Sequence, residues 1–166
     1  MSSPVRGRTG RVHQVNVSAG GVPKLPVPGT QVRRLGLVGD GHNEPEPIHG
    51  GELQAVSIYS IEALARVAAD GHRAFPGAYG ENLTLEGIDW AVLGPGDRLA
   101  IGDGGLVIEL TSHAAPCQTI AHWFVDRKIA RISPKAHPED ARWYARVIAE
   151  GPVATGDAVE VLPAAE

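Results

Sequence analysis

Leu93-Gly94-Pro95-Gly96-Asp97-Arg98-Leu99-Ala100-Ile101-Gly102-Asp103-Gly104-Gly105-Leu106-Val107-Ile108-Glu109-Leu110-Thr111 decides the fold class. Two turn-forming clusters of Gly, Pro and Asp bracket short apolar runs. Arg98–Ile101 and Val107–Thr111 therefore read as the two arms of a β-hairpin closed across Gly102–Gly105. The same grammar recurs on both sides. Arg11–Val17, Val32–Leu37, Gln54–Tyr59, Asn82–Leu85, Trp143–Ile148 and Ala158–Leu162 read as strands. Pro23–Pro28, Ile129–Pro138 and Gly151–Asp157 read as irregular or turn-rich connections, because proline removes ladder donors.

One helix interrupts this pattern. Ser60 is a good N-cap, Glu62 suits the first turn, and Gly71 is placed to end the helix after Leu64, Val67 and Ala68. Asp89–Leu93 reads as a short turn or helix, and Thr119–Val125 as one or two helical turns. Roughly seven or eight short strands with one clear helix predict a mainly β protein, a barrel or folded sheet whose closure protects its edges.

With 166 residues, 43% hydrophobic and 20% charged, the chain is expected to be one globular domain over 1–166, its core spanning about 11–162. A net charge of -4 argues against nucleic acid as a partner. No apolar run approaches the ~20 residues of a membrane span, and no secretory leader is expected at the N-terminus. The single cysteine cannot form an internal disulfide, so a cytoplasmic location is expected.

That cysteine, Cys117, is the first candidate for chemistry. Lone cysteines are often buried, inert packing groups. Here Pro116 precedes Cys117 and a helical turn is predicted just after it. A thiol at such a position faces unpaired N–H groups that favour the thiolate, the form that attacks or ligates metal. His49-Gly50-Gly51 is the second candidate: the glycines permit positive φ and close backbone approach, and His49 can donate to a phosphate, ligate, or move a proton. Asn82, after Gly80-Glu81, and Lys24, after Gly20-Gly21-Val22-Pro23, are ordinary turn and surface residues when taken alone. Zinc is disfavoured, because His113, Cys117 and His122 match no standard ligand spacing. Walker, dinucleotide-binding and nucleophile-elbow motifs are absent from the sequence.

The order of these motifs is more specific than any one of them. Val17–Lys24, Gly36–Asp40, His49-Gly50-Gly51 leading to Ala55–Ser60, Pro76–Leu83 with Gly80-Glu81-Asn82, Leu93–Gly102, Pro116-Cys117 and Tyr144–Val147 follow one another in a succession that resembles the MOSC family. That family is named for the C-terminal domain of molybdenum cofactor sulfurase. The resemblance covers nearly the whole chain and implies a β-barrel-like fold with one or two short helices. It implies that the molybdenum cofactor is the ligand and that Cys117 is a molybdenum ligand with a catalytic role, alongside His49. Lys24, His49, Gly50, Gly51 and Asn82 would line the pterin and phosphate site. The activity implied is reduction of N–O bonds in N-hydroxylated small molecules. The sequence carries no flavin, haem or iron–sulfur motif, so an external electron-donor protein is expected. Pyridoxal phosphate is not expected in this chain. The other readings are a persulfide sulfur carrier using Cys117, a non-catalytic carrier of the cofactor, and a barrel with an inert cysteine.

Overall fold

The computed structural model describes residues 8–41 and 51–164. The predicted hairpin is present as Arg98–Ile101 and Leu106–Ala114. In chain order the strands are β1 (Thr9–Val17), β2 (Leu25–Val27), β3 (Gly29–Arg33), β4 (Gly36–Leu37), β5 (Val56–Ser60), β6 (Leu83–Glu86), β7 (Arg98–Ile101), β8 (Leu106–Ala114), β9 (Arg142–Ala149), β10 (Gly151–Ala154) and β11 (Ala158–Leu162). The single α-helix among the described residues, α1, is Ile61–Ala69.

The main sheet runs β11-β7-β8-β9-β5-β6-β1-β2, and β11 also pairs with β1 through Thr9↔Glu160 and Arg11↔Ala158. That pairing closes seven strands into a barrel, with β2 added outside the ring on β1. A second sheet, β10-β3-β4, lies beside it. Among the described residues every pairing is antiparallel except β5 with β6. A parallel pair needs a crossover, and α1 lies in that connection. Its cap is the predicted one: Ser60 Oγ accepts from Ala63 N–H at 3.0 Å. Gly71 follows the helix at φ 95°, a conformation suited to glycine. Ala63, Leu64 and Val67 form the buried helix face, at the three- and four-residue spacing of an amphipathic helix.

Alternation along the strands builds the core. Leu106, Ile108 and Leu110 of β8 point inward, as do Leu99 and Ile101 of β7, while Glu109 and Thr111 stay at the surface. Burying one such aliphatic side chain contributes about 1.5–3 kcal/mol. No helix among the described residues is long and apolar enough to cross a membrane.

Four sequence expectations change. Leu25–Val27, read as loop, is β2. Gly151–Ala154, read as turn, is β10. Val32–Leu37, read as one strand, is the end of β3, a turn at Arg34-Leu35, and β4. Part of the Ile129–Pro138 loop is a 3-10 turn, Ile129–Ile132. The first two share a cause: Pro26 and Pro152 cannot donate to a ladder, but β2 and β10 each end a sheet, where one side of the strand needs no partner. The polar loop expected over Gly39–Pro47 lies, beyond Gly41, outside the described residues.

Candidate functional site

The strand β8 is irregular between Leu110 and Ser112, where its register against β9 shifts. A bulge bends its strand and re-aims the residues beyond it. Beyond this one the chain runs through Ala115-Pro116-Cys117 into a 3-10 segment, Gln118–Trp123, for which Cys117 occupies the N-cap position. Ile120 and Phe124 anchor that segment in the core, and Phe124 stacks on Tyr79 at 5.2 Å. Cys117 itself stays exposed. Its Sγ lies 2.7 Å from Thr119 Oγ1. A thiol can donate to that hydroxyl, but a thiolate can only accept, so Thr119 becomes the donor once the sulfur is ionised or metal-bound.

The thiol lines a cavity of about 490 Å³. The floor is the outer surface of β5 and β9, where Ser57 and Tyr144 point away from the core residues Ile58, Trp143 and Ala145. Loops rise around it: residues 20–24 after β1, 79–82 before β6, and 115–122 after β8. This size suits a small-molecule or cofactor site.

Lys24 and Asn82 line the same cavity as Cys117, so three of the residues singled out in the sequence meet in one place. Lys24 is buried, and its Nζ donates to both oxygens of Asp40 at 2.6 and 2.8 Å. Asn82 Nδ2 donates to Asp40 Oδ2 at 2.9 Å, and Ser18 N–H donates to Asp40 Oδ1 at 3.0 Å. Asn82 Oδ1 accepts from Ser57 N–H at 3.1 Å. Asp40 is thus the hub that ties the 20–24 and 79–82 walls to the end of β1, and its role is not readable in the sequence. The one signal there is the Gly39-Asp40 pair, an ordinary turn dipeptide.

Gly51 has φ 79°, so the positive-φ expectation holds there. It precedes the 3-10 turn Glu52–Gln54, and Gln54, not Gly51, lines the cavity. His49 and Gly50 lie outside the described residues. The one metal-type cluster among the described residues is His137, Glu139 and Asp140. Both carboxylate oxygens of Asp140 are already engaged, by Arg66 and Arg131.

Two further residues belong to the site: Arg142, which has no sequence signal, and Glu81, the middle residue of Gly80-Glu81-Asn82. Arg142 stands at the start of β9, opposite Ala114 of β8. Its guanidinium donates to the carbonyls of Tyr79 and of Ala115, the latter at 3.2 Å, and it lines the cavity. Glu81 is wholly buried behind Asn82, where its Oε2 accepts from Gly77 N–H and Thr84 Oγ1, each at 3.0 Å. Burial pushes the Glu81 carboxyl above the usual carboxylate range. Burial likewise lowers the pKa of His113, which stacks on Trp143 at 3.8 Å.

The architecture has known counterparts. The YuaD protein from Bacillus subtilis superposes with a TM-score of 0.75 at 19% identity, covering 92% of this chain and 95% of that one. YiiM from Geobacillus stearothermophilus gives 0.70 at 23% identity, over 93% of this chain and 75% of that one. YiiM from Escherichia coli gives 0.66 at 22%, over 98% and 72%. These identities speak to fold. No curated protein matches the chain. The family profile described as "MOSC domain" matches residues 45–160, a span that holds β5 to β10, the Cys117 loop and Arg142. By that match and by the closed barrel, the chain belongs to the MOSC domain family.

Proposed function

We propose that this chain binds the molybdenum cofactor in the cleft beside Cys117 and reduces N–O bonds of N-hydroxylated small molecules. The observation that carries the reading is the convergence of the exposed Cys117 thiol, Lys24 and Asn82 on one cavity of about 490 Å³. The residues fit the group. A thiolate is a suitable ligand for a soft or high-valent metal. The buried guanidinium of Arg142, with Nε left without a partner, offers positive charge to an anionic cofactor.

Cys117 would ligate molybdenum, with Lys24 and Asn82 beside the pterin and phosphate; the resemblance adds His49, Gly50 and Gly51 to that set. When bound, the cofactor supplies two-electron chemistry at the N–O bond. The overall change consumes two electrons and two protons and yields amine and water; the electrons come from an external donor protein. The chain's own contribution is orientation and shielding. Asp40 holds Lys24 and Asn82 in fixed positions, Ser57 fixes the Asn82 amide, and Thr119 directs the sulfur. A lone, unpaired thiol suits the reducing cytoplasm.

The test is molybdenum content by mass spectrometry, after expression in a host with an intact cofactor pathway, of wild type and Cys117→Ala in parallel. The expected result is molybdenum near stoichiometry in the wild type and its loss in the variant. Equal retention in both would remove Cys117 from the metal. Cyanide-labile sulfur on Cys117 without molybdenum would replace this reading with a persulfide carrier, which the exposure of the thiol also suits.

A further inference from the structure

Arg142 is a buried cation that makes no ion pair among the described residues. Only 7% of the residue is exposed. Of its five N–H donors, one on each terminal nitrogen goes to a carbonyl, that of Tyr79 or that of Ala115. The Nε–H is buried with no partner, and one N–H remains on each terminal nitrogen. No carboxylate among the described residues lies within ion-pair distance of it. The other buried cation of the cleft is different: Lys24 is neutralised by Asp40 at 2.6 Å. Glu81, in the same loop as Tyr79, spends Oε2 on Gly77 and Thr84 and makes no ion pair with Arg142. Burial raises the Glu81 pKa, and the Arg142 charge acts against that rise without an ion pair between the two.

A buried charge is costly unless paired. Among the described residues the lining of this cleft therefore carries one positive charge that no ion pair neutralises, and its side chain lines the cavity into which the Cys117 thiol also opens. The guanidinium is held beside the thiol's own loop, because Ala115, two residues before Cys117, accepts from it. A planar fork with free N–H groups is the geometry that recognises oxyanions.

We propose that Arg142 anchors an oxyanion site, one that takes a carboxylate or phosphate group of a ligand lying alongside Cys117. Two sources share this chemistry: the phosphate of a bound cofactor, and an anionic group on a substrate.

The single cysteine makes the test simple. Full-length protein, made in a host lacking molybdenum cofactor, is alkylated at one pH with iodoacetate and, separately, iodoacetamide, and adduct formation at Cys117 is followed by mass spectrometry. The rate ratio of anionic to neutral reagent is expected to exceed that of free cysteine by about tenfold or more, the range in which a cleft of one sign concentrates counter-ions. Inorganic phosphate is expected to suppress the iodoacetate rate selectively. R142Q should bring the ratio down to the free-cysteine value, and R142K, which keeps the charge without the fork, should fall between. The phosphate arm needs no variant, so a folding defect in R142Q does not blunt the test. A wild-type ratio equal to that of free cysteine, or one that phosphate leaves unchanged, overturns the proposal.

The alkylation ratio does not depend on molybdenum, so failure of the cofactor reading would leave the result standing, and the reverse. The sources separate by calorimetric titration of molybdenum-loaded protein with inorganic phosphate. Heat lost on loading assigns the site to the cofactor's phosphate; heat retained assigns it to a substrate's anionic group.

Discussion

Lys24 and Asp40 are both nearly buried and lie 2.6 Å apart. Removing one partner of such a pair leaves a buried charge and costs about 3–5 kcal/mol, whereas replacing both with apolar groups is often close to neutral. Asp40→Ala is therefore expected to lower stability by about that amount, and Lys24→Met with Asp40→Leu to recover only part of it, because Asn82 Nδ2 and Ser18 N–H still lose their acceptor. Urea denaturation midpoints of the three proteins check this; a single variant as stable as wild type would mean the pair is not a structural tie. Thr119 makes a finer prediction. Valine in its place keeps the volume and loses the hydroxyl that meets the Cys117 sulfur at 2.7 Å. A hydrogen bond to a charged group is worth about 1.5–3 kcal/mol, so molybdenum should be held about tenfold or more weakly in T119V and normally in T119S. Competition with a chelator reads the difference. At this scale the sequence is legible at Cys117 from residue type and neighbourhood, and at Lys24 and Asn82 only through the family resemblance. It is silent where the role comes from tertiary pairing. Arg142 sits in Glu139-Asp140-Ala141-Arg142-Trp143 and looks like any strand-flanking arginine. Only the register Ala114↔Arg142 turns it toward the thiol.

Among the elements, the segment 77–82 matters most, because it carries Tyr79, Gly80 and Asn82 to the cavity. Gly77 starts it at φ 86°, and a Cβ there would sit 2.1 Å from the Lys24 carbonyl oxygen. Gly77→Ala should cost about 1–3 kcal/mol in backbone conformation alone and displace the Lys24 wall. A denaturation midpoint unchanged from wild type would contradict that. Glu81 pins the same segment from behind. Its folded-state pKa is raised by burial, so the folded protein binds a proton more tightly than the unfolded chain. That contribution is fully present below the ordinary carboxyl pKa of 4.5 and is lost as pH rises toward the folded value. Glu81→Gln removes the titration, so the fall in Tm with rising pH above about 4.5 should flatten. Equal slopes in both proteins would assign the pH dependence to other groups. The element boundaries are readable where apolar alternation follows a Gly-Asp turn, as in β7 and β11, whereas β8 runs three residues past its predicted end at Thr111. They are obscured in β2 and β10 by Pro26 and Pro152.

For the whole molecule, the barrel depends on β11, which pairs with β7 on one side and β1 on the other and buries Val159 and Val161. A chain ending at Asp157 would leave both neighbours as open edges. It is expected to lose cooperative thermal unfolding and to aggregate, as seen by calorimetry and light scattering; a sharp two-state transition would show that the remaining strands close without it. Mainly-β architecture is legible from turn spacing and strand count, but closure is not, because no local pattern records which two strands meet.

The meeting of Thr9 with Glu160 also sets a clock on synthesis. β1 waits for β11, and joining such distant partners is the slow kind of folding step. Until β11 has been made, β1 can lie only against β2 and β6. The finished ring, and any cargo the cleft is to receive, belong to the time after β11 has joined it.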